Sequence, residues 1–210
     1  MTINTLQMKK PIPVAISARH LHLTQDAVDV LFGKGYQLTE LKAISQPGQF
    51  ACNETVTLVG PKNKIENVRV LGPLRSAVQV EISRTDEFAL GIDAPIRDSG
   101  DVKGSAAIKL VGPAGELDIV EGVICARRHI HMHPDDAAEY GVADKDVVEV
   151  KLDTDGRDLI YGDVLVRVSP KYILEMHLDT DEANAAELNK GMVGELTDTG
   201  SVVTLRKSVD

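Results

Sequence analysis

RHLHLTQDAVDVLF (residues 19–32) returns as RHIHMHPDDAAEYG (residues 128–141). Successive strand residues point to opposite faces, so positions two apart share one. Each His-x-His therefore offers two imidazoles to one side, and Leu21 or Ile130 to the other. The segment after each pair reads as a short helix. Thr24 is a natural N-cap, with apolar residues at 27, 28, 31 and 32 in helical period. In the second copy Pro134 stands at the helix start with Asp135 and Asp136 in its first turn. Gly33 and Gly141 end the two segments. A strand turning at once into a small helix, used twice, predicts two related halves.

Working outward, residues 12–17 predict a strand running on toward His20 and His22. Further strands are expected at 38–42, 55–60, 65–71 and 77–82, where Gln79 and Glu81 share one face and Val78, Val80 and Ile82 the other. Residues 85–90 read as a helical turn at most, and 91–104 as loop. Strands are then expected at 106–111, 116–124, 146–152, 159–168 and 173–178. A helix over 181–189 is capped by Asp179 or Thr180 and stopped by Gly191, and a last strand lies within 194–206. A second echo, TLVGP at 57–61 and KLVGP at 109–113, occurs in a different order relative to the first, so the duplication reads as shuffled. Many short strands, Gly-Pro turns and few helices predict a mainly β chain. We expect two small β-barrel domains with short capping helices, at 12–100 and 101–206, with the N-terminal strand free to cross to the second.

Of the 210 residues 43% are hydrophobic but only 3% aromatic, so the core must be Val, Ile, Leu and Ala. The net charge of −9 and the lack of a basic run argue against nucleic acid. No apolar run approaches the roughly 18 residues of a membrane span, and MTINTLQMKK lacks the apolar stretch of a secretory signal. Two cysteines, Cys52 and Cys125, without a CxxC fit a reducing compartment, so a cytoplasmic location is expected.

His20, His22, His129, His131 and His177 are five candidate metal ligands, and Glu81 is the obvious carboxylate to join them. Imidazole donors at this spacing suit zinc, and also cobalt or iron. The bland alternatives are surface histidines on edge strands and a solvated Glu81. His133, next to Pro134, reads as a helix-start residue. Arg75, in the Gly72–Ser76 loop, suits bidentate binding of phosphate or carboxylate; Arg127 and Arg128 read equally as braces for the metal strand. Cys125 reads as core rather than nucleophile. No P-loop, Rossmann or serine-hydrolase motif occurs. A histidine-rich site with activated water also fits a metal-dependent phosphoesterase or thioesterase, or a non-catalytic metal-binding structural protein.

Four segments, PVAISARHLHL (13–23), VRVLGPLRSAVQVEISRTD (68–86), CARRHIHM (125–132) and EMHLDTDEANA (175–185), resemble the PduL-type phosphate propanoyltransferases, or phosphotransacylases. The resemblance runs from about Ile12 to Val203. It implies an enzyme interconverting short-chain acyl-CoA (propanoyl-CoA or acetyl-CoA) plus phosphate with acyl phosphate plus coenzyme A. It also implies two β-barrel domains around a dinuclear zinc site. One Zn(2+) would match His20, His22 and Glu81, and the other His129, His131 and His177. Arg75 would match the phosphate-binding arginine and act in catalysis. Ser99 and Asn184 would match residues near the substrates. A homodimer is implied as well. Ala18 stands where members often have asparagine. Members that work in a bacterial microcompartment often carry a longer amphipathic N-terminal segment; about ten residues precede the first strand here, too few for an independent helix. The cytoplasm is thus expected, with the microcompartment lumen and its shell as the alternative setting.

Overall fold

The computed structural model describes residues 10–199. Segment 1–9, on which the targeting question turns, and segment 200–210, into which the last strand is expected to extend, lie outside the described residues. The elements in chain order are β1 (Ile12–Ile16), β2 (His20–His22), α1 (Gln25–Phe32), β3 (Glu40–Ala43), β4 (Phe50–Val59), β5 (Lys64–Gly72), β6 (Gln79–Glu81), α2 (Arg84–Leu90), β7 (Ile96–Arg97), β8 (Ala106–Val111), β9 (Glu116–Ala126), β10 (His129–Met132), α3 (Pro134–Tyr140), β11 (Val147–Leu152), β12 (Leu159–Val168), β13 (Glu175–Leu178), α4 (Thr180–Ala185) and β14 (Val193–Thr197). No helix among the described residues is long and apolar enough to cross a membrane.

The chain is mainly β and forms two closed six-stranded barrels. The first runs β4-β5-β2-β6-β9-β8 and back to β4, with β3 and β7 attached outside the ring. The second runs β1-β13-β10-β12-β11-β14 and back to β1. The two rings match strand for strand. Each His-x-His strand lies parallel to one neighbour (β5 or β12) and antiparallel to the other (β6 or β13). Closure removes the exposed sheet edge that an open β-sheet of this size would have to protect.

Two sequence readings are corrected by this pairing. The division expected at residue 100 does not separate the barrels, because β8 and β9 close the first; β1 crosses to the second, as the expected division left it free to do. Nor does the 12–17 strand continue into His20; the chain leaves one barrel after Ile16 and enters the other at His20. The same happens between β9 and β10. Each His-x-His strand is thus fed by the strand that completes the opposite barrel.

The TLVGP and KLVGP echo has another origin than the histidine echo. Both segments belong to the first barrel, where β4 pairs with β8. Each turn covers a helix end. A Cβ on Gly60 would stand 2.3 Å from the Leu90 carbonyl oxygen, and one on Gly112 2.4 Å from that of Leu31. The following N–H groups donate to those same carbonyls, Lys62 to Leu90 at 3.0 Å and Ala114 to Leu31 at 2.9 Å. Carbonyls that end α2 and α1 without an intrahelical partner are satisfied this way.

Residues 84–90 form a full helix rather than a single turn. Ser83 and Asp86 make a capping box and Gly91 ends it in left-handed geometry, signals hidden by the helix's brevity. Conversely α4 stops at Ala185, well short of Gly191, because Glu187 takes a φ of 50° and the Leu188 N–H turns back to the Ala183 carbonyl at 2.9 Å. Each barrel has its own core: Leu21, Val28, Leu31, Val70 and Val80 are among the residues that fill the first, and Ile130, Met132, Val166 and Met176 among those that fill the second. The central residue of each His-x-His therefore anchors in its own barrel while the histidines face out, toward the other.

Candidate metal centre

Two donor triads result, one per barrel. His20 stands opposite Glu81 across β2 and β6, with His22 two residues further on. His129 stands opposite His177 across β10 and β13, with His131 two further. Within each triad the donor atoms lie within 4.8 Å of one another, a spacing at which one ion could be held. Glu81 and His177 occupy equivalent positions, so the triads differ in one donor only, a carboxylate against an imidazole.

The side chains are held from behind. Nδ1 of His20 lies 2.9 Å from the Ala18 carbonyl, Nδ1 of His22 3.2 Å from that of Leu71, and Nδ1 of His129 2.8 Å from that of Arg127. A carbonyl only accepts, so these Nδ1 atoms donate, and Nε2 of each ring keeps its lone pair for an ion. His177 is turned the other way: its Nε2 meets the Glu175 carboxylate at 2.7 Å. Nδ1 of His131 is buried without any hydrogen-bond partner among the described residues. A buried polar atom without a partner is uncommon and costly. A metal ion would supply one, so the donor set fits the group.

Protonation states agree with that role. Burial, then the Arg75 guanidinium, pushes His22 down to about 3. Burial and the neighbouring His177 push His129 down to about 4, and burial with His129 pushes His131 down to about 2. These rings are neutral near pH 7 and keep lone pairs. Burial works against the charge of Glu81, yet His20, the Ser99 hydroxyl, His22 and His129 together hold its carboxyl below the usual carboxylate range. Ser99 Oγ donates to Glu81 Oε1 at 2.7 Å, and Gln79 Nε2 donates to the same oxygen at 2.5 Å.

Both triads open on one cavity of about 200 Å³, which Arg75, Ser99, Arg167 and Tyr172 also line. Among the described residues neither Arg75 nor Arg167 forms a salt bridge; Arg167 lies 5.9 Å from the Tyr172 ring centre. Burial, and then Arg167, loosens the Arg75 proton against the pull of Glu81. Guanidinium stays charged even so. Asn184 is exposed on α4 and does not line this cavity. Cys125 is buried, with its thiol pushed up to about 12 chiefly by burial, and lines a separate cleft.

Sequence reading missed Arg167. A signal was present: Val166-Arg167-Val168 echoes Val68-Arg69-Val70, and both lie on the strand parallel to a His-x-His, Arg167 opposite His131 and Arg69 opposite His20. The arginines before each pair have a different use. Arg19 joins Asp86 at 2.8 Å, and Arg128 joins Glu182 at 3.0 Å. Asp86 and Glu182 are the third residues of α2 and α4, so each arginine ties a metal strand to the helix that follows the third donor. His133 caps α3, accepting from the Asp135 N–H at 3.3 Å.

Residues 13–189 match the sequence profile of the family described as phosphate propanoyltransferase. The chain is 57% identical over 187 residues to the phosphate propanoyltransferase of Thermotoga maritima, covering 89% of each chain. It is 54% identical over 200 residues to that of Lachnoclostridium phytofermentans, covering 92% of this chain and 93% of the relative. Against that of Salmonella typhimurium it is 54% identical over 178 residues, covering 85% and 84%. A match over nearly the whole of both chains leads to one conclusion: this chain belongs to the phosphate propanoyltransferase family of phosphate acyltransferases.

Proposed function

We propose that the chain exchanges a short acyl group, propanoyl or acetyl, between coenzyme A and inorganic phosphate. In this reading two Zn(2+) ions are held by His20, His22 and Glu81 and by His129, His131 and His177. The observation that carries it is the joining in one small cavity of two donor triads and two guanidinium groups that form no salt bridge among the described residues. Metal donors alone would suit a hydrolase; the arginines add a site for a second, anionic reactant.

Bound zinc would supply Lewis acidity toward the thioester carbonyl and the departing thiolate. The chain's own residues do the rest. Arg75 and Arg167 receive phosphate oxygens, lower their repulsion from the substrate and orient one of them for attack. Glu81, fixed by Ser99 and Gln79, keeps its negative charge directed at the first triad. Ser99 therefore acts through Glu81. Asn184, on the exposed face of α4, stands as a substrate-side residue on the family resemblance alone. The protonated, buried thiol of Cys125 is a poor nucleophile, which supports direct transfer from thioester to phosphate.

The test is incubation of the purified chain with propanoyl-CoA, with and without phosphate, following free thiol and trapping acyl phosphate with hydroxylamine. Phosphate-dependent thiol release with matching acyl hydroxamate is expected. Thiol release without phosphate would identify a thioesterase instead. Elemental analysis should find two zinc ions per chain, and cobalt or iron in their place would revise the metal alone.

A further inference from the structure

The two third donors are each backed by the residue two positions earlier on the same strand. Gln79 backs Glu81, its amide donating to the carboxylate. Glu175 backs His177, its carboxylate accepting from the ring. Both backing residues stand at the same place in the register, opposite His22 and His131 respectively. Each is held in turn by a serine-bearing loop. Gln79 is held by Ser99 Oγ at 3.0 Å and by the Gly100 N–H at 2.8 Å, both within its own barrel. Glu175 is held from the opposite barrel. Ser45 Oγ donates to its Oε2, and Gln46 Nε2 lies 3.5 Å from the same oxygen. Ser45 and Gln46 sit in the loop joining β3 to β4. Gln46 is 2% exposed, and its amide brackets Ile173, donating to the carbonyl at 3.2 Å and accepting from the N–H at 3.3 Å. That two-point bond resembles a rung of sheet made by a side chain. It fixes the β3–β4 loop against the segment leading into β13, which carries Glu175 and His177.

We propose that Glu175 is a positioning residue of the second triad, and that the first barrel sets it. The β3–β4 loop clamps the Glu175 carboxylate, the carboxylate holds His177 with its proton on Nε2, and Nδ1 is left to face the ion. The inference rests on reading His129, His131 and His177 as a metal centre. Carboxylates that accept from a ligating imidazole fix its tautomer and raise its basicity, and losing one typically weakens metal binding about 10–100-fold. Docking of the two barrels and affinity at one of the two centres thereby become one property.

The experiment uses the full chain with 15N-labelled histidine, metal-free and zinc-loaded. Imidazole nitrogen shifts report the His177 tautomer, and competition with a chelator of known affinity reports each zinc separately. The wild-type chain should carry the His177 proton on Nε2 without metal. Glu175→Ala should mix the tautomers and weaken one zinc by about 10–100-fold while sparing the other. Glu175→Gln, whose amide oxygen still accepts, should recover part of the loss, and Gln46→Ala should move both readouts the same way by less. A wild-type His177 protonated on Nδ1 overturns the proposal without any variant, and so does Glu175→Ala with both zinc affinities unchanged. A wild-type chain that takes up no zinc overturns the metal reading itself; the tautomer measurement then decides the clamp alone.

Discussion

The first triad and the second are the same construction completed with different chemistry. Both use a three- to four-residue strand with two outward histidines and a third donor one strand over. In the first, the third donor is a carboxylate and the support comes from main-chain carbonyls and Ser99 of the same barrel. In the second, all three donors are imidazoles, and the support of one of them comes from the other barrel. A carboxylate donor offsets one unit of an ion's charge, whereas three imidazoles leave it whole. With an ion in each triad, as proposed above, the second would be the stronger electrophile and the first the tighter holder of a cation. Two copies of a fold, kept alike in geometry, have been made unlike in charge.

Removing a donor should break this comparison most. His131→Ala and His20→Ala are each expected to abolish one zinc and lower kcat/KM by at least about 100–1,000-fold, the loss typical of one oxyanion contact. Elemental analysis beside steady-state kinetics checks both. If the second centre is the electrophile, His131→Ala should damage kcat more than His20→Ala. Next come the arginines that both centres share. Arg75→Lys and Arg167→Lys should each raise the KM for phosphate about 10–100-fold, the worth of about 1.5–3 kcal/mol in a charged hydrogen bond, with metal content intact. Equal phosphate response in wild type and variants would remove them from the anion site.

Acid should separate the triads more gently. His22, His129 and His131 have folded values of about 3, 4 and 2 against 6.5 in the unfolded chain. Between those limits the unfolded state binds more protons, so their contribution to stability is present above pH 6.5 and is lost as pH falls. Urea titrations of the metal-free chain should show stability declining from about pH 6.5 downward, with two of the three contributions arising in the second barrel. The braces come next. Arg19→Ala and Arg128→Ala each open a partly exposed ion pair and should cost about 1 kcal/mol in denaturation. Cys125→Ala tests the smallest effect. Turnover should remain near that of wild type, and a trapped acyl-enzyme lost in this variant would replace direct transfer with a covalent route.

The histidine echo was legible because the two copies kept the same residues, Arg-His-x-His, where geometry and chemistry both constrained them. The equivalence of the strands paired antiparallel to it was not, because the copies diverged: Gln79-Val80-Glu81 and Glu175-Met176-His177 are equivalent in pairing and share no residue. Strand existence could be read from alternation, as at 106–111 and 159–168. Which barrel a strand joins was harder: a crossing of β1 was allowed for, but β8 and β9 look locally like strands of the half that follows them. Arg167 was overlooked for the reason Arg75 was noticed: it lies mid-strand between valines, where a charged side chain reads as solvent-facing, and only barrel closure turns it toward the cavity.

The reciprocal strand exchange also bears on how the chain is made. Val14 pairs with Met176, and Ile12 with Gly194. Synthesis runs from the N-terminus, so β1 emerges first and must wait for nearly the whole chain before its partners exist. Contacts so distant in sequence raise contact order and slow folding. Until β13 and β14 arrive, β1 is an unpaired strand with a sticky edge. The first barrel meets no such delay, since all its strands lie between His20 and Ala126. The half bearing Glu81 can thus assemble while the half bearing His177 is still being translated, and the two donor triads acquire a birth order that the finished molecule no longer shows.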